Sequence, residues 1–149
     1  MAGRAYVTFT VGMSDIYSRA KRSALMAAIQ GRDNQSTELA LVRCFRTHGI
    51  TGWRRHQTAF GKPDFVFPQL RLALFVDGCF WHGCPRHYRE PAGNRAYWQK
   101  KIERNRLRDG RVNRTLRQKG WRVLRIWEHE LAVSRKGRLI SRIRRALGG

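Results

Sequence analysis

Hydrophobic and polar positions recur with a helical period at both ends of the chain. Residues 14–30 have apolar positions at helical spacing with Lys and Arg between them, which predicts a basic N-terminal arm. The polar stretch GRDNQST follows and predicts an N-cap at Ser36 or Thr37 for a second helix that ends at Gly49. Cys44 lies on the apolar face of that helix, and we interpret it as a core residue.

The middle of the chain changes to short runs that are typical of strands. GWRRHQTAF predicts an edge strand, PDFVF a second strand, and LRLALFV, around residues 70–76, a third. A long helix is predicted over residues 94–119, ending at Gly120, followed by a strand over residues 121–127. RKGRLISRIRRAL predicts a closing basic amphipathic helix. This order predicts an α/β fold with a mixed β-sheet flanked by helices.

Length and composition favour one domain. The chain has 149 residues, of which 42% are hydrophobic, which is enough for a core. Without an internal repeat or linker, residues 14–149 are predicted to form a single domain. Residues 1–13 are predicted to be a disordered extension, because the segment from Met13 resembles a natural start. The sequence shows no secretory signal and no run of transmembrane length, which predicts a cytoplasmic protein without a membrane partner.

Charge indicates the class of partner. The chain has 31 Lys and Arg against 10 Asp and Glu, a formal net charge of +21. Self-repulsion of this size weakens a compact state unless a polyanion neutralises it, and Arg suits bidentate contacts with phosphate. Nucleic acid is therefore the favoured partner. Residues 100–125 carry 11 Lys and Arg against 2 acidic residues. This segment predicts contacts with the phosphate backbone of a nucleic acid through Arg104, Arg108 and Arg111.

The run FVDGCFWHGCPRH concentrates metal-binding side chains in a short stretch. Cys79, Cys84 and His87 have the spacing to bind one tetrahedral Zn²⁺ from a single loop. His129 is the first candidate for the fourth ligand, and His82 competes because it also has ligand spacing from Cys79. Inert thiols and surface histidines are the alternative. Such a zinc ion would be structural, because a Gly- and Pro-rich loop in a small domain needs a cross-link.

Two acidic residues flank the predicted hairpin. Asp64 begins PDFVF and Asp77 ends the next strand, so an antiparallel hairpin would place them side by side. Paired carboxylates repel each other unless a cation lies between them, and Mg²⁺ is the usual solution. An Asp after a Pro is also typical of a turn, so both interpretations stay open.

Two further features have both a functional and a packing explanation. Phe80 and Trp81 are consecutive and cannot both face one core from an extended strand, so at least one is predicted to project. Projecting aromatic side chains can enter and unstack base steps, and the alternative is a hydrophobic cluster around the metal. Asn105 and Asp109 interrupt the apolar stripe of the long helix. They either face solvent or point at a polar site on the sheet.

Five segments together resemble one family, the very short patch repair (Vsr) DNA mismatch endonucleases. They are MAAIQGRDNQSTELALVR, GKPDFVF, FVDGCFWHGCP, YWQKKIERNRLRD and GWRVLRIWEHEL, and the resemblance covers residues 14–132. It implies a restriction-endonuclease-like core with a structural zinc site. It also implies a Mg²⁺-dependent enzyme that nicks one strand of double-stranded DNA beside a T·G mismatch left by deamination of 5-methylcytosine. A monomer associated with the bacterial nucleoid, with partners linked to mismatch repair and DNA methyltransferases, is expected with it.

The resemblance also implies roles for individual residues. Asp64 and the main-chain carbonyl of Val76 would bind Mg²⁺. His82 would be the general acid or base at the scissile phosphate, with Glu38 and Asp77 at the catalytic centre. The remaining implied roles are zinc binding for Cys79, Cys84, His87 and His129, insertion into DNA for Phe80, Trp81 and Trp98, and orientation of His82 or a metal-bound water for Asn105 and Asp109.

The sequence leaves one division of roles and two alternative functions open. Members of the family differ at the position of Asp77, where some have a histidine, so the division of labour between Asp77 and His82 is undecided. A restriction or defence nuclease of the same fold without mismatch specificity is one alternative function. A non-catalytic, zinc-stabilised DNA-binding module is another.

Overall fold

The computed structural model describes residues 19–148, with the side chains of residues 19–23, 26 and 28–34 outside the description. In this part the helices are α1 (Arg19–Thr47), α2 (Arg95–Gln118) and α3 (Lys136–Ala146), and the strands are β1 (Phe65–Phe67), β2 (Leu72–Asp77) and β3 (Arg122–Trp127). Short 3₁₀ helices lie at Pro68–Leu70, Glu128–Leu131 and Val133–Arg135. The predicted extension, residues 1–13, and the start of the predicted arm, residues 14–18, lie outside the described residues.

The described strands form a mixed sheet in the order β1-β2-β3. β1 and β2 are antiparallel, with Phe65 opposite Leu74. β2 and β3 are parallel, with Phe75 opposite Arg125, because α2 carries the chain back across the sheet between them. The predicted mixed sheet flanked by helices is confirmed. All of β2 is buried, as expected for a strand covered on both faces.

Alternation along the strands distributes their side chains between two helical layers. The larger core lies between the sheet and helices α1 and α3 and includes Leu72, Leu74, Val76, Ile126, Phe45 and Ile143. Ala73 and Phe75 face the other way and pack against Val112 of α2. Asp77 follows Phe75 by two residues in β2, so its side chain lies on the same face of the sheet. Arg125 lies opposite Phe75 in β3, so the side chains of Asp77 and Arg125 both face α2.

The first helix differs from the prediction. GRDNQST does not interrupt it, since α1 is continuous from Arg19 to Thr47, so the N-cap predicted at Ser36 or Thr37 was wrong. A single Gly or polar residue costs about 1 kcal/mol or less in a helix interior. A new helix start would instead leave several N–H groups without an intrahelical partner. A continuous helix through GRDNQST therefore costs less free energy than a break and a new helix start.

The predicted edge strand GWRRHQTAF was also wrong. Within the described residues, this segment pairs with the sheet through one isolated β-bridge, between Arg54 and Val66. Gly52 and His56 on either side have positive φ angles, 83° and 54°. These angles turn the chain out of the extended conformation that a strand needs.

The later boundaries agree with the sequence. α2, β3 and α3 each lie within one or two residues of the predicted ranges, and Gly120 with φ 83° follows the end of α2. The prediction for Cys44 is also confirmed, because its side chain is buried in the larger core. None of the helices in the described part is both long and apolar enough to cross a membrane.

Candidate active site and metal centre

Most of the predicted site residues lie where β2 and β3 end. Parallel strands leave the sheet at the same edge, so the loop of residues 78–94 after β2 lies beside the 3₁₀ helix after β3. The N–H of Cys79 donates to Oε1 of Glu128 at 2.8 Å and ties the two segments together. Gly83 has φ 63°, and a Cβ there would come within 2.7 Å of Ile102. Only glycine therefore lets the loop pack this closely on α2.

Four side chains from these two segments converge. Cys79, Cys84, His87 and His129 each offer a ligand atom, and these atoms lie within 4.8 Å of one another. The Sγ atoms of Cys79 and Cys84 are 3.2 and 3.6 Å from Nδ1 of His129. Two cysteines and two histidines are the donor set of a closed tetrahedral zinc site. They are the four positions implied for zinc from the sequence, and His82 is not among them.

The thiol and the imidazole of this group differ in the protonation state that burial favours. Burial raises the pKa of the Cys79 thiol to about 12, against the lowering effect of a hydrogen bond with His129. Burial, followed by the charge of His87, lowers the pKa of His129 and keeps the imidazole neutral, as metal ligation requires. A Zn²⁺ ion would supply the positive charge that holds buried sulfurs as thiolates. The residues present therefore fit zinc.

His82 belongs to a second group, with Asp77 and Asp109. Its Nδ1 lies 2.5 Å from Oδ2 of Asp109 and 3.8 Å from Oδ1 of Asp77. A carboxylate on Nδ1 orients the ring and leaves Nε2 as the nitrogen for proton transfer. A histidine held in this way by a carboxylate has the orientation that proton transfer requires.

The two polar residues in the stripe of α2 point at this site rather than at solvent. Nδ2 of Asn105 donates to the carbonyl of Trp81 at 2.7 Å, and Asp109 contacts His82. Both contacts satisfy polar groups that would be costly in an apolar stripe. Asn105 therefore holds the backbone of the loop next to His82, while Asp109 holds its ring.

Asp64 lies at the start of β1, close to two other carboxylates. Its Oδ2 accepts a hydrogen bond of 2.7 Å from the N–H of Val76. Burial raises the pKa of Asp64 to about 7, the hydrogen bond from Val76 opposes this rise, and the charges of Glu38 and Asp77 add to it. Glu38 is held in turn by Arg55, at 2.6 Å. Crowded carboxylate oxygens of this kind are the ligands that a hard divalent cation prefers.

Phe80, Trp81 and Trp98 form one aromatic cluster. Trp81 and Trp98 are buried, while Phe80 is half-buried and meets both rings edge to face, with centroids 5.1 and 5.3 Å apart. The sequence predicted that at least one of Phe80 and Trp81 projects, and the structure has Trp81 buried and Phe80 half-buried in the same cluster. The segment is a turn, in which the N–H of Cys84 donates to the carbonyl of Cys79, so consecutive rings share a side. The structure thus shows the cluster beside the predicted metal site.

Known protein families include one that matches this chain. The family model of the DNA mismatch endonuclease Vsr matches residues 14–88, half of the chain. This chain belongs to the Vsr family. The family is one of endodeoxyribonucleases, and the match includes the loop that carries Cys79, His82 and Cys84.

Individual Vsr-family relatives cover different shares of the chain. The type II nicking enzyme V.XorIIP of Xanthomonas oryzae is 39% identical, over 91% of this chain and 98% of its own length. The DNA mismatch endonuclease Vsr of Escherichia coli is 36% identical, over 78% of this chain and 74% of its own length. The type II nicking enzyme V.NaeI of Lentzea aerocolonigenes is 56% identical over 46% of this chain. That match spans 42% of the relative, less than half of its length.

The basic face of this Vsr-family chain runs along α2. Arg104, Arg108 and Arg111 are all exposed there. Residues one turn apart on a helix share a face, so the three guanidinium groups form a row that suits a phosphate backbone.

Sequence reasoning missed two arginines at the site. Arg55 holds Glu38, and Arg125 lies 2.8 Å from Asp77. The alternation of WRVLRIW carried a signal for Arg125, since it stands where an inward-facing residue of β3 is expected. No comparable signal marked Arg55, because its segment lacks a regular period.

Proposed function

We propose that this Vsr-family protein is a Mg²⁺-dependent endodeoxyribonuclease that nicks one strand of DNA beside a T·G mismatch arising from deaminated 5-methylcytosine. Its core would be restriction-endonuclease-like. The observation that carries the proposal is the placement of the half-buried Asp64 carboxyl near Glu38 and Asp77, with the His82 and Asp109 pair in contact with Asp77. Relatives named as a mismatch endonuclease and as nicking enzymes support it.

Asp64 and the main-chain carbonyl of Val76 would hold the Mg²⁺ ion. The ion would supply a Lewis acid that polarises the phosphate and acidifies water. Glu38, which Arg55 holds, would contribute a further carboxylate beside Asp64. His82 would accept or donate a proton at Nε2, while Asp109 fixes Nδ1.

Recognition of the mismatch would use the loop beside the zinc site. Phe80 is the most exposed member of the aromatic cluster, and Trp81 and Trp98 support it from below. Insertion of an aromatic side chain into a base step costs less unstacking energy beside a weak base pair such as T·G. The zinc ion would be structural and would hold this loop rigid. The row Arg104, Arg108 and Arg111 would bind backbone phosphates.

The proposed substrate also sets the cellular context. A monomer would suffice, because the proposed zinc ligands, the group of His82 and the aromatic cluster each come from the described part of one chain. Deaminated methylcytosine arises where a DNA methyltransferase acts, so the protein would work on the bacterial nucleoid. Mismatch-repair and methyltransferase-linked proteins would be its partners there.

The test is nicking of a pool of duplexes that carry T·G pairs in varied contexts, with matched duplexes of the same sequences. With Mg²⁺ we expect single-strand nicks beside T·G and at least about 100-fold less cleavage of matched DNA. Equal cleavage of both would indicate a restriction or defence nuclease instead. Binding without any metal-dependent nick would indicate a DNA-binding module.

Changes at the His82 and Asp109 pair should slow the chemical step. We expect His82→Ala and Asp109→Asn each to lower kcat by about 10²- to 10³-fold, with KM nearly unchanged, because proton transfer contributes of this order. Steady-state nicking of a T·G duplex measures both constants. Glu103→Gln, at an exposed acid of the same helix, is the matched control and should behave as the parent. A normal kcat for His82→Ala would contradict the role.

Removal of the Phe80 ring should weaken the preference for mismatched DNA. Loss of one stacking contact is worth about 1–3 kcal/mol, so Phe80→Ala should bind T·G duplex about 10-fold more weakly while binding matched duplex as before. Titration of both duplexes in Ca²⁺, which supports binding without cleavage, gives the ratio. Phe60→Ala removes an exposed ring outside the aromatic cluster and serves as control. An equal loss for both duplexes would rule out insertion by Phe80.

A further inference from the structure

Arg125 is fixed from several sides between the sheet and α2. Its Nη1 lies 2.8 Å from Oδ1 of Asp77 and 3.5 Å from Oδ1 of Asp109. Its Nε donates to Oδ1 of Asn113 at 2.8 Å, and the guanidinium lies over the ring of Phe75, 4.2 Å from the centroid. Its side chain is 18% exposed. The rotamer of Arg125 is thus held by partners on both β2 and α2.

The backbone explains why this arginine reaches both carboxylates. Arg125 lies opposite Phe75 in the parallel pair of β2 and β3, so Asp77 is its diagonal neighbour on the same face. Asp109 and Asn113 are one turn apart on α2 and present their oxygens to the same point. The guanidinium therefore lies between two carboxylates that come from different elements.

Apart from the arginine, this group has the donors of a metal site. Asp77, His82 and Asp109 offer two carboxylates and one imidazole whose ligand atoms lie within 4.8 Å of one another. One histidine and two carboxylates form a donor set that Mn²⁺ and similar divalent ions accept. An ion bound to both carboxylates would need the space and the lone pairs that the Arg125 guanidinium now uses. Two positive charges at that separation would repel each other.

We infer that Arg125 is a positioning residue whose guanidinium takes the cation position between Asp77 and Asp109, keeps metal ions out of that group and leaves His82 free for proton transfer. The metal exclusion follows from the contacts alone, whereas the benefit to His82 rests on the proposed function. The site then has two separate halves. Asp64 provides the metal-binding half, and Asp77 belongs to the half without a metal, as an anchor for Arg125.

The first test is metal binding by the full-length, zinc-loaded protein, measured by titration with Mn²⁺ and electron paramagnetic resonance without DNA. Arg125→Gln removes the positive charge and should bind about one more Mn²⁺ per chain than the parent. The added ion should persist in Asp64→Asn/Arg125→Gln and disappear in His82→Ala/Arg125→Gln. Arg122→Gln, at an exposed arginine of the same strand, should show no added ion.

A second variant tests the exclusion without touching Arg125. Asp64→Asn in the parent background should bind no Mn²⁺ at the group of Asp77, His82 and Asp109. Mn²⁺ binding by this variant that depends on His82 would overturn the inference, as would Arg125→Gln that folds normally and gains no ion. These readouts need no nicking, so failure of the proposed function would show separately, as an inactive parent.

Kinetics test the positioning role. Arg125→Gln should lower kcat for nicking by at least about 10-fold with KM little changed, and Arg125→Lys should recover part of the loss because an ammonium can still neutralise both carboxylates. A purely structural role would instead lower the melting temperature of both variants, without a selective loss of kcat and without recovery in Arg125→Lys. An Arg125→Gln variant with the parent's kcat would contradict the positioning role.

Discussion

Cys84→Ala should destabilise the protein strongly and empty its zinc site. The Cys84 side chain is 1% exposed and is one of four candidate ligands that join the loop after β2 to the segment after β3. Structural zinc contributes roughly 10–16 kcal/mol to folding in small zinc peptides, and loss of one ligand removes a large part of it. We expect the free energy of unfolding to fall by about 4 kcal/mol, or about 12 °C in melting temperature.

Metal analysis and calorimetry measure this effect together. The parent should contain about one equivalent of zinc per chain, and Cys84→Ala should contain close to none. Nicking should also be lost, because the same loop carries His82 and Phe80. Dialysis of the parent against a strong chelator should reproduce the lower melting temperature, and added Zn²⁺ should reverse it.

Cys44→Ala is the matched control. Cys44 is also a buried thiol, but it lies in the larger core and outside the metal-binding group. Its replacement leaves a small cavity, which should cost about 1 kcal/mol and leave the zinc content unchanged. If Cys84→Ala kept its zinc, Cys84 would not be a required ligand. If it melted at the temperature of Cys44→Ala, zinc at this site would not stabilise the fold.

The sheet was predictable because its patterns are local. The apolar run that ends at Asp77 has the length and composition of a buried strand, and the run that begins at Trp121 has the alternation of a half-buried one. An antiparallel hairpin of the two neighbouring strands then placed Asp77 near Asp64. The group of Cys79, Cys84 and His87 was predictable for a similar reason, since ligand spacing within one loop is written in the sequence.

Contacts that depend on register could not be predicted in the same way. Arg125 meets Asp77 only because β2 and β3 pair with Phe75 opposite Arg125, and sequence patterns do not specify which residues pair across a crossover. The contact of Arg55 with Glu38 joins an irregular segment to a helix. The continuous α1 has another cause, since polar residues have only a weak effect on helix formation and a local pattern overstates it.

Asp64→Asn should abolish nicking and, in the absence of Mg²⁺ at pH 8, make the protein more stable. Burial raises the pKa of Asp64 from its usual value of 3.8 to about 7. Below about pH 4 the carboxyl is protonated in both the folded and the unfolded chain, so it has no effect on stability there. Between about pH 4 and pH 7 only the unfolded chain releases the proton, so the free energy of unfolding falls as the pH rises.

The stability gained by Asp64→Asn follows from the pKa values of the Asp64 carboxyl in the unfolded and the folded chain. The interval from 3.8 to about 7 sets an upper limit of about 4 kcal/mol above pH 7. Asparagine has no proton to lose and can still accept the hydrogen bond from Val76. We therefore expect Asp64→Asn to be more stable than the parent by about 2 kcal/mol at pH 8 and by little at pH 4. Thermal unfolding at the two pH values measures this difference.

Added Mg²⁺ should reverse the order of stability. At a concentration about 100 times its dissociation constant, an ion that binds only the folded chain stabilises it by about 2.7 kcal/mol. Asp64→Asn lacks the principal ligand, so its melting temperature should not respond. Asp77→Asn is an informative comparison, because Asp77 lies beside Asp64 but is paired with Arg125. It should keep the response to Mg²⁺. Asp64→Asn that still responded to Mg²⁺, or that nicked T·G duplex at the parent's rate, would contradict this role. The metal would then bind elsewhere, and the raised pKa of Asp64 would have a purely structural cause.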